Sequence, residues 1–221
     1  MISGVFGQSG IPSTGSKPAQ DYTDIIKDLT DDDKVVEEKV FADVPTSHWA
    51  YGDIYFLKDL GAISGVSATQ FNPEGSVTRE QFLKIVIDAL KIAPEASDAS
   101  FKDVVPGAWY ESYVKTGVAA GIINGMSADT FGVGMPITRQ DVCVILTRAM
   151  NLSTENVAAL TFADSDAVSE YANSSVSVLV EYAIINGFTD NTFKPQNTCT
   201  RAQSARIISN AVGIINAVEN N

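Results

Sequence analysis

The chain has 221 residues, with 15 basic against 27 acidic side chains, a formal net charge of −12 and 45% apolar content. That is enough apolar material for a buried core in one or two domains, while no run approaches the ~20 apolar residues that span a bilayer. The acidic balance argues against nucleic acid and anionic membranes as partners, since both need clustered cations, and two cysteines with one histidine are too few for a disulfide framework or a zinc centre.

Residues 1–40 read as a linker. Positions 3–20 are rich in Gly, Ser, Pro and Thr, and positions 21–40 set Lys27, Lys34 and Lys39 against eight acids. One short helix around 22–29 is the alternative. The opening Met-Ile-Ser-Gly-Val-Phe-Gly lacks the basic and apolar regions of a signal peptide. The expectation is of the C-terminal part of a longer protein, with a parent surface protein N-terminal to the tether.

From residue 41 onward the chain repeats itself with a period of about 60 residues. Phe-x-Asp recurs at 41–43, 101–103 and 162–164, followed by Trp49, Trp109 and Tyr171. From each aromatic it is 16 residues to Gly65, Gly125 and Gly187, six more to Phe71, Phe131 and Phe193, and eight more to Arg79, Arg139 and Arg201, each after a Thr. The third copy carries Tyr for Trp and one extra residue before it. The second has Gly132-Val133 where Asn72-Pro73 and Lys194-Pro195 stand, which predicts a looser loop. The repeats are assigned to 41–100, 101–160 and 161–215, with a tail at 216–221.

Each copy predicts two helices and a connecting loop. The first helix starts near the aromatic, with stripes Ala50, Ile54, Leu57, Gly61, then Tyr110, Val114, Gly117, Gly121, then Ala172, Val176, Leu179, Ala183. The second starts at Thr-Arg, with stripes Phe82, Ile85, Val86, Ala89, then Val142, Ile145, Leu146, Ala149, then Ser204, Ile207, Ile208, Ala211. Phe71, Phe131 and Phe193 anchor the Gly-, Asn- and Pro-marked loops. A two-helix unit buries little surface alone. The three copies are therefore expected to share one core, around a pseudo-threefold axis or as a short stack.

Thr at N-cap with Gln or Asp at N3 forms a capping box. The arginine between them is harder to explain, because a cation at N1 faces the positive helix pole at a cost of about 0.3–1 kcal/mol. Three such arginines suggest an anion held by guanidinium and free N–H groups together, a carboxylate fitting best. The alternative is a salt bridge to the Asp of Phe-x-Asp. On the anion reading, Arg79→Ala or Arg139→Ala weakens binding with melting nearly unchanged. Trp49, Trp109 and Tyr171 either close the core or present flat faces to sugar C–H groups. Asp43, Asp103 and Asp164 either accept sugar hydroxyls or shape turns. Gly65, Gly125 and Gly187 are read as C-caps with positive φ, or as points where a ligand meets the backbone. Cys143 and Cys199 fall at apolar register positions and read as core hydrophobes. His48 has no partners for triad chemistry.

Phe-x-Asp-Val, the Trp, the helix-end Gly, Phe-x-Pro and Thr-Arg-x-Glu/Gln resemble S-layer homology repeats, three of which cover about four-fifths of the chain. The resemblance implies an all-α fold in which three two-helix repeats form a pseudo-threefold trimer with a central helix bundle, projecting prongs and grooves between repeats. It also implies non-covalent attachment to bacterial secondary cell wall polysaccharide, often bearing a pyruvate ketal, at the bacterial cell surface. The binding positions it transfers are Arg79, Arg139, Arg201; Asp43, Asp103, Asp164; Trp49, Trp109, Tyr171; and Gly65, Gly125, Gly187. No metal, cofactor or catalytic residue is expected. The competing functions are a scaffold for protein–protein contact or self-assembly, and a glycosidase. The last is disfavoured because the recurring acids follow the repeat and form no single acid/base pair.

Overall fold

The computed structural model describes residues 41–98 and 100–219, so the linker read from residues 1–40 lies outside the described residues. The fold is all-α, as expected. Its first copy holds α1 (Tyr51–Asp59) and α2 (Arg79–Ala89), its second α3 (Glu111–Ala119) and α4 (Arg139–Ala149). The third holds a 3₁₀ turn at Ser165–Ala167, then α5 (Glu170–Glu181) and α6 (Arg201–Glu219). Residues 216–219, set apart as a tail from the sequence, belong to α6. The extra residue of the third copy falls in the segment that forms the 3₁₀ turn.

The first helices bury the early members of their stripes, Ala50, Ile54 and Leu57 being matched by Val114 and by Ala172, Val176 and Leu179. The fourth members depart from expectation. Gly61, Gly121 and Ala183 are exposed and left-handed, with φ of 77°, 69° and 55°. Each closes its helix: Gly61 N–H donates to Lys58 O and Ala62 N–H to Leu57 O, both at 2.9 Å, and the same pair of bonds recurs at 121–122 and 183–184. This is the Schellman ending, which satisfies two orphan carbonyls at the price of one left-handed residue. The helix caps are therefore these residues, not Gly65, Gly125 and Gly187, which lie four positions further on and have no positive φ.

The second helices start where Thr-Arg predicts. Thr200 and Gln203 exchange both bonds of a capping box, at 3.2 and 3.3 Å. Thr138 Oγ1 accepts from Asp141 N–H at 3.3 Å, and Thr78 N–H donates to Gln81 Oε1 at 3.2 Å. The stripes beyond are buried apart from the partly buried Ala149, and the loop anchors Phe71, Phe131 and Phe193 are fully enclosed. Cys143 and Cys199 are buried free thiols in the same core.

Each second helix packs on the first helix of the following repeat: α2 on α3, α4 on α5, and α6 back on α1. The residues before the three threonines complete the loop of contacts through their backbones. Val77 N–H donates to Cys199 O at 3.1 Å, Cys199 N–H to Ile137 O at 2.9 Å, and Ile137 N–H to Val77 O at 2.9 Å. All three side chains are buried. Repeat one thus contacts repeat three as directly as it contacts repeat two.

Candidate functional site

The motif arginines sit at these junctions. Arg79 Nε donates to Phe131 O at 3.1 Å, Arg139 Nε to Phe193 O at 2.9 Å, and Arg201 Nε to Phe71 O at 2.7 Å. Each guanidinium therefore holds the anchor loop of the next repeat, with the third reaching back to the first. Arg139 Nη2 also reaches Asn186 O at 3.0 Å, and Arg201 Nη2 reaches Ser64 O at 2.7 Å, the carbonyls just before Gly187 and Gly65. The guanidinium carbons lie 4.3–5.3 Å from the Phe71, Phe131 and Phe193 ring centroids. Arg79 is 8% exposed and Arg139 4%. Burial pushes the pKa of all three guanidinium groups down, and nearby carboxylates oppose that shift at Arg79 and Arg201, chiefly Asp141 and Asp43 respectively. Arg79 differs in having Asp141 at 3.8 Å.

Two expectations change here. The amides at the helix starts are not free, because Arg79 N–H donates to Met135 O, Arg139 N–H to Asn197 O and Arg201 N–H to Gly75 O. Gln140 and Ala202 N–H donate to Pro195 O and Pro73 O in the same way. The N1 arginine escapes the helix dipole by extending to carbonyls of another repeat, so its recurrence has a structural cause whether or not an anion binds. Consequently Arg139→Ala is expected to lower the melting temperature, not to leave it unchanged.

Nor do the Phe-x-Asp carboxylates form the alternative salt bridges. Asp43 accepts from Phe71 and Asn72 N–H at 2.9 and 2.7 Å, and Asp164 from Phe193 and Lys194 N–H at 2.7 and 2.8 Å. Asp103 takes three, from Phe131, Gly132 and Val133 at 2.7–2.8 Å. The third exists because Val133 has an N–H where Pro73 and Pro195 have none. Gly132, at φ 97°, occupies the left-handed position that Asn72 and Lys194 fill at 60° and 56°. Asp103 therefore accepts one more backbone N–H than its counterparts in the other two loops. Burial raises the Asp43 and Asp103 carboxyl pKa, but the N–H donors outweigh it and hold both below the usual value.

Gly65, Gly125 and Gly187 are required by crowding. A Cβ on Gly65 would lie 2.5 Å from Phe41 Cε1 and 2.5 Å from Ser67 O. On Gly125 it would meet Phe101 Cε1 at 2.5 Å and Ser127 O closer still, and on Gly187 it would strike the Phe162 ring. The glycine lets the Phe of Phe-x-Asp pass under the turn and pair with its anchor Phe, with ring centroids 5.5–6.1 Å apart.

The aromatics behave differently from the other motif residues. Trp49 is 50% exposed, Trp109 54% and Tyr171 61%. They do not close the core. Tyr171 is fixed by its hydroxyl, which donates to Asp141 Oδ1 and accepts from Gln140 Nε2, both at 2.8 Å. Gln140 also accepts from Ser169 N–H at 3.0 Å, joining the start of α4 to the start of α5. Arg206 lies 5.2 Å from the Trp49 ring centroid and pairs with buried Asp53. Repeat comparison missed Gln140, Arg206 and Asp53, because their register partners are unlike residues.

The described residues hold no cluster of three or more His, Cys, Asp or Glu able to bind a metal ion. The S-layer homology domain model matches the chain three times, at 40–83, 100–143 and 161–205. Over 175 residues the chain is 33% identical to an amylopullulanase of Thermoanaerobacterium thermosulfurigenes, covering 77% of this chain and 9% of that protein. It is 33% identical over 165 residues to exoglucanase XynX of Acetivibrio thermocellus, covering 73% and 15%. It is 31% identical over 189 residues to the surface-layer 125 kDa protein of Lysinibacillus sphaericus, covering 79% and 16%. The chain thus spans less than a fifth of the length of these relatives.

Proposed function

The chain belongs to the S-layer homology domain family, a non-catalytic cell-wall anchoring module of surface proteins, and from that premise we propose that it fastens a larger protein to a bacterial secondary cell wall polysaccharide. The ligand is an acidic glycan, a pyruvate ketal being the carboxylate source that the family resemblance suggests. Grooves between successive repeats receive it, as the cyclic contacts of motif arginines with neighbouring loops support.

The observation that carries this reading is the exposure of Trp49, Trp109 and Tyr171. Large aromatic faces left in water at the same register of three repeats cost apolar hydration that burial would recover. A sugar's C–H face covers such a ring while its hydroxyls stay hydrogen-bonded. The amylopullulanase and the exoglucanase are similar to this chain over only 9% and 15% of their lengths, which supports a module attached to parents with different activities.

The arginines enter as part of the groove wall. Each already spends Nε on a carbonyl, so an anion would meet only the remaining N–H edge. With a net charge of −12, long-range steering opposes an anionic polymer, so binding depends on fit and added salt weakens it only modestly. The test is co-sedimentation with purified wall sacculi, before and after chemical removal of pyruvyl groups. Loss of binding on depyruvylation is expected. Equal sedimentation with both preparations would remove the acidic-glycan assignment.

A further inference from the structure

The three seams between repeats are built from the same pair of helices, so they can be compared position by position. Five residues after each motif arginine stand Lys84, Val144 and Arg206, and four after each exposed aromatic stand Asp53, Tyr113 and Ser175. At the α6–α1 seam these positions hold the Arg206–Asp53 ion pair beneath Trp49. At the α2–α3 seam Lys84 meets Asp88 at 2.9 Å, and Tyr113 donates its hydroxyl to the same carboxylate at 3.3 Å. Both seams carry a charged side chain and its partner at these positions.

At the α4–α5 seam both positions are small and uncharged, Val144 and Ser175. The space they leave is an open cleft of about 440 Å³, bordered also by Arg148, Tyr171 and Ser174. Arg148 stands at the register of Asp88. It is exposed, and its guanidinium has no hydrogen-bond or ion-pair partner among the described residues, unlike those of Arg79, Arg139, Arg201 and Arg206.

We propose that this cleft binds an acidic sugar residue, with its carboxylate on Arg148 and its ring against Tyr171. A free guanidinium offers a forked pair of donors that matches a carboxylate, and Ser174 can exchange hydrogen bonds with ring hydroxyls. A cleft of this volume lies within the range of small-molecule sites. The inference rests on the reading of an acidic glycan as ligand, but it uses none of the three motif arginines. It assigns this seam a saccharide contact of its own, and it predicts one such contact per chain, because the other two seams carry charged pairs where this one has Val144 and Ser175.

The test is an NMR titration of the ¹⁵N-labelled full chain with methyl β-glucuronide, and with methyl β-glucoside as the uncharged control. The glucuronide is expected to give saturable shifts at the amides of Arg148, Ser174 and Ser175, and the glucoside much smaller ones. Arg148→Ala should weaken the glucuronide response roughly tenfold, the scale of a charge-assisted hydrogen bond, with melting unchanged because Arg148 holds nothing in the fold. Val144→Lys, which copies Lys84 of the α2–α3 seam, should abolish it. Equal response to both sugars, undiminished binding by Arg148→Ala, or shifts confined to residues around Gly65, Gly125 and Gly187 would each overturn the proposal. Sacculus binding that survives Arg148→Ala would leave the groove reading standing, so the two failures are distinguishable.

Discussion

Arg139→Ala is the most discriminating perturbation of the motif. The substitution strips the donors from Phe193 O and Asn186 O, 2.9 and 3.0 Å from the guanidinium. Hydrogen bonds from a charged donor contribute about 1.5–3 kcal/mol each. It also removes a cation lying 4.7 and 4.9 Å from the Phe188 and Phe193 ring centroids, worth about 0.5–2 kcal/mol. Opposing this, the folded state no longer has to desolvate a guanidinium that is 4% exposed, a gain of several kcal/mol. The net loss is about 2–4 kcal/mol, in the range of broken buried networks. For a chain of this size each kcal/mol lowers Tm by about 2–4 °C, so calorimetry should show a fall of roughly 5–15 °C. Arg139→Lys keeps the charge but cannot fork to two carbonyls, and should fall between. Arg148→Ala is the control, expected within about 0.5 kcal/mol of wild type as an unpartnered surface change. If Arg139→Ala melts with wild type, the guanidinium is not a cross-link between repeats, and its recurrence would need the anion after all.

The other expectations concern different parts of the repeat. Gly125→Ala forces a Cβ against the Phe101 ring and the Ser127 and Thr130 carbonyls, two of which are backbone and cannot rotate away; a loss of about 1–3 kcal/mol in urea unfolding is expected. Ala183→Gly relieves a left-handed Ala at φ 55° and should stabilise by about 1 kcal/mol in the same assay. Because the folded-state pKa values of Asp43 and Asp103 lie below their unfolded values, their contribution is complete above about pH 4, the unfolded carboxylate range, and is lost as pH falls through the folded values. Denaturation followed from pH 6 to pH 2 should show that loss, and Asp103→Asn should flatten it. Trp49→Ala combined with Trp109→Ala should reduce sacculus binding severalfold with Tm shifted by less than about 3 °C, since both rings are half in water; retained binding would remove the aromatic platform.

The elements were legible in the sequence because the signals that specify them are local. Thr-Arg-x-Gln/Asp fixes where α2, α4 and α6 begin, and spacing at three and four residues fixes what they bury. What a motif residue does for another repeat was not legible. Arg201 and Phe71 are 130 residues apart, and nothing in the spacing of either shows that one holds the other's carbonyl. The same blindness assigned the C-cap to Gly65, whose glycine is demanded by a distant ring, Phe41, while Gly61 four residues earlier was counted as part of a helical stripe. Alignment of the copies favoured what they share and passed over Lys84, Val144 and Arg206, which differ. Those differences leave Val144 and Ser175 bordering a cleft at one seam.

The division of labour inside the motif follows from the closed contacts. Each Arg, Asp and Gly of one repeat is tied to a loop or ring, and each arginine to the loop of another repeat, so losing one loosens a junction as well as a groove wall. A repeated sequence whose members hold one another will retain these residues for folding alone, and their recurrence is weak evidence for a ligand. Exposed aromatics carry the opposite implication. Trp49 and Tyr171 each touch another repeat, through Arg206 and Asp141, while Trp109 packs on Tyr110 and Tyr113 of its own repeat. The exposure of all three faces costs solvation where they stand and needs a reason outside the fold. That asymmetry makes the aromatics the cleaner probes of wall binding, and a binding defect in an arginine variant is interpretable only beside its melting curve.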